Sequence, residues 1–234
     1  MLGQPTAGRV LQAALDGGGD FAELFCEDRS EVMIEEQRGE ISNMTSARLY
    51  GAGVTVLNGA KSTYTYTNDL EEGALILASS EAASTLQCKP QGLACAPFKE
   101  RVYASPNTLQ ADPAHTPPEA KAALLREMDA FARAASPLVK NVKADYFDTD
   151  QKVTVYNSEG VCAHERRVYC RIRLTITLGD GERSTAEWHD LVRNSGFDFG
   201  DRRRWQAEIW RIVDRMARFL HAESAPSGLM DVVF

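Results

Sequence analysis

A cluster of prolines in the middle of the sequence sets the strongest limit on how this chain can fold. Six of its nine prolines lie between Cys88 and Glu119. Proline lacks a backbone N–H donor and fixes φ, so such a stretch predicts a long connection rather than a helix or a strand. We therefore expect a linker over residues 88–117 that separates two halves of similar size, 1–87 and 118–224.

Each half is predicted to open and close with a helix. In the first half, Thr6 is a candidate N-cap for a short helix that Gly17–Gly19 end. The closing helix is predicted to begin at Asn68, because Glu71 lies three residues later and would complete a capping box. Apolar residues recur at helical spacing in both segments, which gives each helix a face to bury.

The helix signals of the second half are stronger. Thr116 offers a capping hydroxyl, and prolines and a glutamate follow it directly. One apolar face is then predicted for Ala120, Leu124, Met128, Phe131 and Ala135. The last helix is predicted to begin near Asp201. Its broad apolar face consists of Trp205, Ile209, Ile212, Val213, Met216, Phe219 and Leu220.

Strands are predicted between the helices of each half. In the first half they cover residues 21–36, the buried segment 49–57, and 61–67 after an Asn58-Gly59 hairpin signal. In the second half they cover residues 139–147, 152–157, 168–178 and 183–188, with turns at Gly160 and Gly179–Gly181. Short turns between successive strands indicate antiparallel pairing.

The two halves align at an offset of 119 to 121 residues, where Gly39 matches Gly160 and Tyr50 matches Tyr169. One interpretation is an internal duplication of a helix–strands–helix unit. The alternative is that any two antiparallel meanders look alike. Both interpretations predict an α+β fold, in which two similar helix–antiparallel strands–helix halves form a sheet covered by helices.

Charge argues against a nucleic-acid binder. The net charge is −7, and counting by halves gives 15 acids against 8 bases in residues 1–117 and 18 of each in 118–234. DNA-binding proteins usually present a basic face. The arginines at 166, 167, 171, 173 and 202–204 form two small basic clusters, which we expect to be solvated or paired with acids.

No local pattern predicts an active site. His164-Glu165 is the start of a zinc-peptidase motif, but the second histidine is absent and the segment has a strand period, so we expect a surface pair. The other histidines, His115, His189 and His221, are isolated. Glycines 51 and 53 lie within a predicted strand, where they would allow close backbone approach rather than bind a dinucleotide.

The cysteines and the apolar content indicate a cytoplasmic protein. Five cysteines (26, 88, 95, 162 and 170) are an odd number without metal-site spacing, so reduced thiols are expected. The start of the sequence lacks the pattern of a secretory signal, and no apolar run approaches the ~20 residues that cross a bilayer.

Several segments, taken in order, resemble the N-terminal domain of the TldD/PmbA family, whose members have often been labelled modulators of DNA gyrase. These segments are residues 20–29, 32–34, 39–42, 50–56 and 66–70. Residues 225–234 are similar to the link that leads into the family's second domain. The resemblance is closer to the TldD side of the family than to the PmbA side.

The resemblance implies a metallopeptidase that acts on unfolded peptides. Its zinc and catalytic residues would lie in a C-terminal domain that begins about where this sequence ends. No catalytic or metal-binding residue therefore carries over to any position here, and the resemblance assigns no substrate-binding residue. We expect this chain alone to hold no cofactor and to be inactive.

The implied role is that of a non-catalytic N-terminal domain. It would wall the substrate channel, contact the catalytic domain or a partner subunit in a homo- or heterodimer, or do both. An exposed sheet edge could also bind an extended peptide by strand addition. The alternative is a stand-alone protein-interaction adaptor without peptidase activity.

Overall fold

The computed structural model describes residues 2–103, 108–223 and 227–231. Its helices are α1 Gln4–Asp16, α2 Glu72–Thr85, α3 Pro118–Ala135 and α4 Arg202–Leu220, with a short 3₁₀ helix at Pro113–His115. Its strands are β1 Phe21–Gln37, β2 Glu40–Asn58, β3 Lys61–Thr67, β4 Lys99–Val102, β5 Val139–Asn157, β6 Val161–Gly179 and β7 Ser184–Arg193. The predicted tail over 225–234 lies partly outside the described residues.

All seven strands belong to one sheet in the order β3-β2-β1-β5-β6, with β4 and β7 both paired to β6. The two halves join through the antiparallel pair β1–β5, in which Phe25 lies opposite Val155 and Met33 opposite Phe147. Each half contributes a helix, three antiparallel strands and a second helix, so the predicted α+β class is confirmed.

The long strands explain why two pairs of helices are needed. A strand of 17 to 19 residues extends about 60 Å, whereas the helices are roughly 20 to 29 Å long. The even-numbered side chains of β1, β2, β5 and β6 face the helices. Around Leu24 and Val54 they pack against α1 and α2, and around Ile34 and Tyr146 they pack against α3 and α4.

The helix boundaries differ from the sequence prediction at three N-termini. Thr6 lies inside α1, whose N-cap is Gly3, and its hydroxyl donates to the Glu72 carboxylate at 3.0 Å. α2 begins only at Glu72, because the Asp69 carboxylate accepts the Glu71 N–H in a tight turn. Before α3, the Thr116 hydroxyl donates to a backbone carbonyl upstream and caps nothing.

Two predicted apolar faces need correction. Of the face predicted for α3, Met128 is buried and Ala120 is exposed, while the other three residues are partly buried against the core. The fully buried residues of α3 are Lys121, Ala122, Leu125, Met128, Asp129 and Ala132. In α4 the predicted face is buried except for Phe219, which is 65% exposed. The Asp201 carboxylate accepts the Arg204 N–H at 3.3 Å, which confirms where α4 begins.

The strands are longer than predicted. Residues 139–147 and 152–157 belong to the single strand β5, and β6 begins seven residues before 168. The polar residues between these two predicted strands continue β5 rather than form a loop. Their charges are paired, since Asp148 contacts Lys121 and Asp150 contacts Arg166. The loop of the first-half hairpin is Gly59-Ala60, one residue later than predicted.

The linker contains a strand, contrary to the prediction. β4 pairs with β6 in parallel, from Lys99 opposite Val161 to Val102 opposite His164. It can do so because no proline interrupts residues 98–105, and the Lys99 N–H is free to donate to the Gly160 carbonyl at 2.7 Å.

Candidate functional site

The second face of the sheet is open, since the described helices all pack on the first. We call it the open face. It is formed by odd-numbered residues of β1, β2, β5 and β6 and by even-numbered residues of β3 and β7. Its large side chains are Phe25, Met33, Leu49, Tyr64, Tyr66, Phe147, Tyr169 and Trp188.

Charged side chains on the open face are arranged in pairs. Arg29 lies 3.2 Å from Glu31 and 3.5 Å from Glu27. Lys143 lies 3.0 Å from Asp145, and that hydrogen bond raises the pKa of its ammonium group. These pairs place charges of both signs along the open face.

Aromatic rings on the open face are held by arginines. The Arg173 guanidinium lies 4.4 Å from the ring centroid of Trp188 and also forms a salt bridge with Asp190, which lowers the pKa of that carboxyl. Arg171 lies 5.7 Å from the Phe147 ring. Interleaved rings and paired charges suit contact with a polypeptide, whose backbone and side chains are both polar and apolar.

The first half also has an unpaired sheet edge. β3 pairs only with Ala52–Asn58 of β2, so among the described strands none covers the outer side of Glu40–Gly51. We call Glu40–Gly51 the arm. Most of its residues are exposed, whereas Ala52–Val54 directly after it are buried.

A notch of about 650 Å³ lies where β3 ends and the arm continues. Its lining includes Glu27, Tyr64 and Tyr66. A Cβ on Gly53 would lie 2.5 Å from the Tyr64 hydroxyl, and one on Gly51 would lie 2.7 Å from the Thr67 carbonyl oxygen. The predicted close backbone approach is confirmed at Gly51, whereas at Gly53 the close neighbour is the Tyr64 side chain.

His164 and Glu165 point to opposite faces of β6 and do not act together. Glu165 forms a surface salt bridge with Arg167. His164 is more buried than expected, with a quarter of its side chain exposed. Its Nε2 lies 3.3 Å from the Cys162 Sγ, and its Nδ1 lies 3.0 Å from the Thr154 hydroxyl, beside an apolar cavity of about 360 Å³ at the β6 edge.

The remaining candidate ligands are dispersed. His115, His189 and His221 each lie 3.6 to 3.9 Å from a different carboxylate. All five cysteines are free, and burial raises the pKa of the Cys26 and Cys170 thiols to about 11. Within the described ranges, no group of three or more His, Cys, Asp or Glu side chains could hold a metal ion.

Most arginines of the predicted basic clusters are paired with acids, as expected. Arg166 contacts Asp112 and Asp150, and Arg167 contacts Glu165. In the second cluster, Arg202 forms a salt bridge with Glu127 and Arg204 forms one with Glu208. None of the described helices is long and apolar enough to cross a lipid bilayer.

The open face and the arm escaped the sequence analysis. Their signal is present: odd positions of β1 mix Phe25 and Met33 with charged residues, and residues 42–48 are polar or small on both faces except for Met44. A strand that is polar on both faces has no helix against it.

Comparison with known families defines the class of protein. Residues 22–85 match the PmbA/TldA metallopeptidase domain 1, and residues 111–222 match the central domain of the same family. The first match covers β1 to β3 and α2, and the second covers α3, β5 to β7 and α4. The chain therefore belongs to the PmbA/TldD family, as the sequence resemblance predicted.

Solved structures share this fold. The chain is similar to a protein from Bacteroides thetaiotaomicron named as a modulator of DNA gyrase, with 15% identity, a TM-score of 0.75, and coverage of 96% of this chain and 52% of that one. A protein of the same description from Thermotoga maritima is 16% identical, with a TM-score of 0.69 and coverage of 96% of this chain and 50% of that one. TldE from Thermococcus kodakarensis is 14% identical, with a TM-score of 0.67 and coverage of 91% of this chain and 46% of that one.

At these identities the likeness shows the fold alone. The chain spans about half the length of each of these structures. No curated protein matches the sequence.

Proposed function

We propose that this chain is the non-catalytic N-terminal part of a PmbA/TldD-type metallopeptidase, in which the open face walls the space that holds an unfolded peptide. The observation that carries the proposal is the asymmetry of the sheet. Four helices bury one face, while the other keeps aromatic rings and paired charges exposed. An isolated domain rarely leaves so large a mixed surface uncovered.

The zinc site and the substrate-cleaving residues would lie outside this chain. Zinc and the catalytic residues are expected in the part of the longer family proteins that this chain does not match. The partners are a catalytic domain or second subunit of the family, in a homo- or heterodimer, and the substrate is an unfolded peptide. We place the protein in the cytoplasm, where its five thiols would stay reduced.

The test joins the chain to a catalytic domain from a family member, fused or as a separate chain, and measures digestion of unfolded casein. We expect faster digestion than with the catalytic domain alone. Trp188→Glu should reduce that acceleration, because Trp188 is on the open face. Trp210→Glu is the matched control, since Trp210 is a similarly exposed tryptophan on α4, with 54% exposed against 60% for Trp188.

The adaptor hypothesis makes a different prediction. An adaptor would bind polypeptide but would leave the rate of digestion unchanged. Equal effects of Trp188→Glu and Trp210→Glu, or no acceleration by the wild-type chain, would reject the channel-wall role.

A further inference from the structure

We infer that Arg171, on the open face, binds a carboxylate group of the polypeptide that this face holds; this rests on the proposed function, because it takes that polypeptide to be the substrate. The first step is charge. On β5 to β7 the open face has four bases and three acids. Each acid is paired with one base, in the salt bridges Lys143–Asp145, Arg167–Glu165 and Arg173–Asp190. Arg171 is the base left over, and it forms no salt bridge with any described carboxylate.

The second step is that the surroundings of Arg171 make a missing partner costly. Arg171 lies opposite Phe147 on β5 and Val192 on β7, so apolar side chains flank it on both neighbouring strands. Its guanidinium lies 5.7 Å from the centroid of the Phe147 ring. Its Nε is shielded from solvent and has no hydrogen-bond partner among the described residues. A carboxylate would satisfy this group, because its two oxygens match the planar fork of a guanidinium.

The third step is a hydroxyl group beside the guanidinium. Thr149 and Tyr169 lie opposite each other, one open-face position along from Phe147 and Arg171. The Thr149 hydroxyl is shielded and forms no hydrogen bond with any described residue. The Phe147 and Tyr169 rings lie edge to face, 6.4 Å apart. Since diagonal neighbours on adjacent strands are within reach of long side chains, these four residues form one surface, which we call the Arg171 patch.

The fourth step is that the rest of the open face favours a single carboxylate over a polyanion. Over all its strands this face has seven acids and five bases, a balance of −2. Four of the acids lie along β1, at Glu23, Glu27, Glu31 and Glu35. A chain of phosphates would meet these like charges, whereas one carboxylate would meet the surplus guanidinium alone. The Asp190 carboxylate is already engaged, because both its oxygens accept hydrogen bonds from Arg173 at 2.8 Å.

A polypeptide has two sources of carboxylate, the acidic side chain and the C-terminus, so the test uses three peptides. Each is a dodecapeptide of glycine, serine and tyrosine with an acetylated N-terminus. One has a central glutamate and an amidated C-terminus. The second has glutamine instead and is neutral, and the third has glutamine and a free C-terminal carboxylate. They are titrated into the full ¹⁵N-labelled chain, and the NMR signal of the Arg171 Nε–H group is followed.

We expect a carboxylate peptide to shift the Arg171 signal and to bind about tenfold more tightly than the neutral peptide, through charge-assisted hydrogen bonds. A preference for the glutamate peptide would assign the Arg171 patch to acidic side chains. A preference for the free C-terminus would assign it to chain ends. Equal affinities for all three peptides, or an Arg171 signal that does not move, would overturn the inference.

Two glutamine variants on the same strand and face supply the test and its control. Arg171→Gln should remove the preference, so that all three peptides bind alike. Arg167→Gln also removes a guanidinium from the open face, but Arg167 is paired with Glu165, so the preference should remain. Arg171→Lys keeps the charge without the fork and should retain only part of the preference. A preference that survives Arg171→Gln would reject the inference. If Arg171→Gln fails to fold, the Arg171 signal of the wild-type chain decides.

These outcomes separate the inference from the proposed function. Accelerated casein digestion together with equal affinities for the three peptides would reject the carboxylate site and keep the channel wall. A carboxylate preference that Arg171→Gln removes, without any acceleration of digestion, would do the reverse. If Arg171→Gln weakens binding of the catalytic domain and leaves the peptide affinities unchanged, the guanidinium belongs to an interface between domains and the inference is wrong.

Discussion

The two halves of the molecule share one plan but finish it differently. In the second half, β6 is paired on its outer side with β7 over Cys170–Gly179 and with β4 over Val161–His164. In the first half, the outer side of β2 is paired with β3 over Ala52–Asn58, and none of the described strands covers the arm. The outer edge of the middle strand is therefore more fully paired in the second half than in the first. The comparison indicates that the linker, by supplying β4, covers the Val161–His164 part of the β6 edge.

The largest expected effect tests whether α4 packs on the sheet of the second half as part of a hydrophobic core. Ile209 on α4 is fully buried against the sheet. Ile209→Ala should lower the free energy of unfolding by about 2–5 kcal/mol, measured by urea denaturation. Trp210→Ala, on the exposed side of the same helix, should change it by less than about 0.5 kcal/mol. A small effect at Ile209 would mean that α4 awaits a partner.

The next prediction compares the two equivalent glycines. An alanine at Gly160 would need positive φ, and its Cβ would lie 2.5 Å from the Pro97 carbonyl oxygen, so we expect Gly160→Ala to cost about 3 kcal/mol. An alanine at Gly39 would need a similar φ but meet no atom within 4 Å, so Gly39→Ala should cost about 1 kcal/mol. Thermal unfolding measures both losses of stability. Equal losses would show that the linker makes no close contact with the β5–β6 turn.

A third prediction concerns Glu36, which lies near the end of β1 beside the β1–β2 turn. Glu36 is fully buried, its Oε1 accepts the Gly39 N–H, and its Oε2 has no partner among the described residues. Burial raises the pKa of this carboxyl to about 7, with Asp129 adding to the shift and Arg133 and Arg126 opposing it.

The sign of the pH dependence follows from that shift. The folded state holds the Glu36 proton more tightly than the unfolded state, so the free energy of unfolding should fall as pH rises from about 4.5 to 7. The fall should be on the order of 2 kcal/mol. Glu36→Gln should remove it, whereas the exposed Glu40→Gln should leave it intact. Urea denaturation at several pH values checks both; the same slope in Glu36→Gln would assign the effect to other groups.

The sequence predicted the elements whose signals are local. α4 was foreseen because seven apolar residues at helical spacing follow an acidic cap at Asp201. The division of β5 into two strands was wrong because the charges of Asp148 and Asp150 are compensated by Lys121 and Arg166, which are distant in sequence. Periodicity within one segment cannot reveal such partners.

The candidate site was harder to predict for the same reason. Whether Met44 or Ser46 lies on a free edge depends on where β3 ends, at Thr67, and not on the residues of β2 themselves. The role of β4 depends on which strand edge lies within reach of the linker. Both are properties of pairing between segments, so a single sequence shows them only as weak compositional signals.

The smallest expected effect compares two arginines in similar positions of the first and second halves. Arg48 on β2 bonds diagonally to Asp28 on β1, and Arg166 on β6 bonds diagonally to Asp150 on β5. Arg166 also reaches Asp112 in the linker at 2.9 Å and is less exposed than Arg48.

Removing each guanidinium should therefore have unequal consequences. Arg166→Ala should cost about 1 kcal/mol, because it leaves two part-buried carboxylates without their partner. Arg48→Ala should cost less, and its effect should vanish in high salt, since solvent screens an exposed pair. Denaturation at low and high salt measures both losses. A larger, salt-resistant loss for Arg48→Ala would mean that the arm is covered in solution, and the contrast between the two halves would no longer hold.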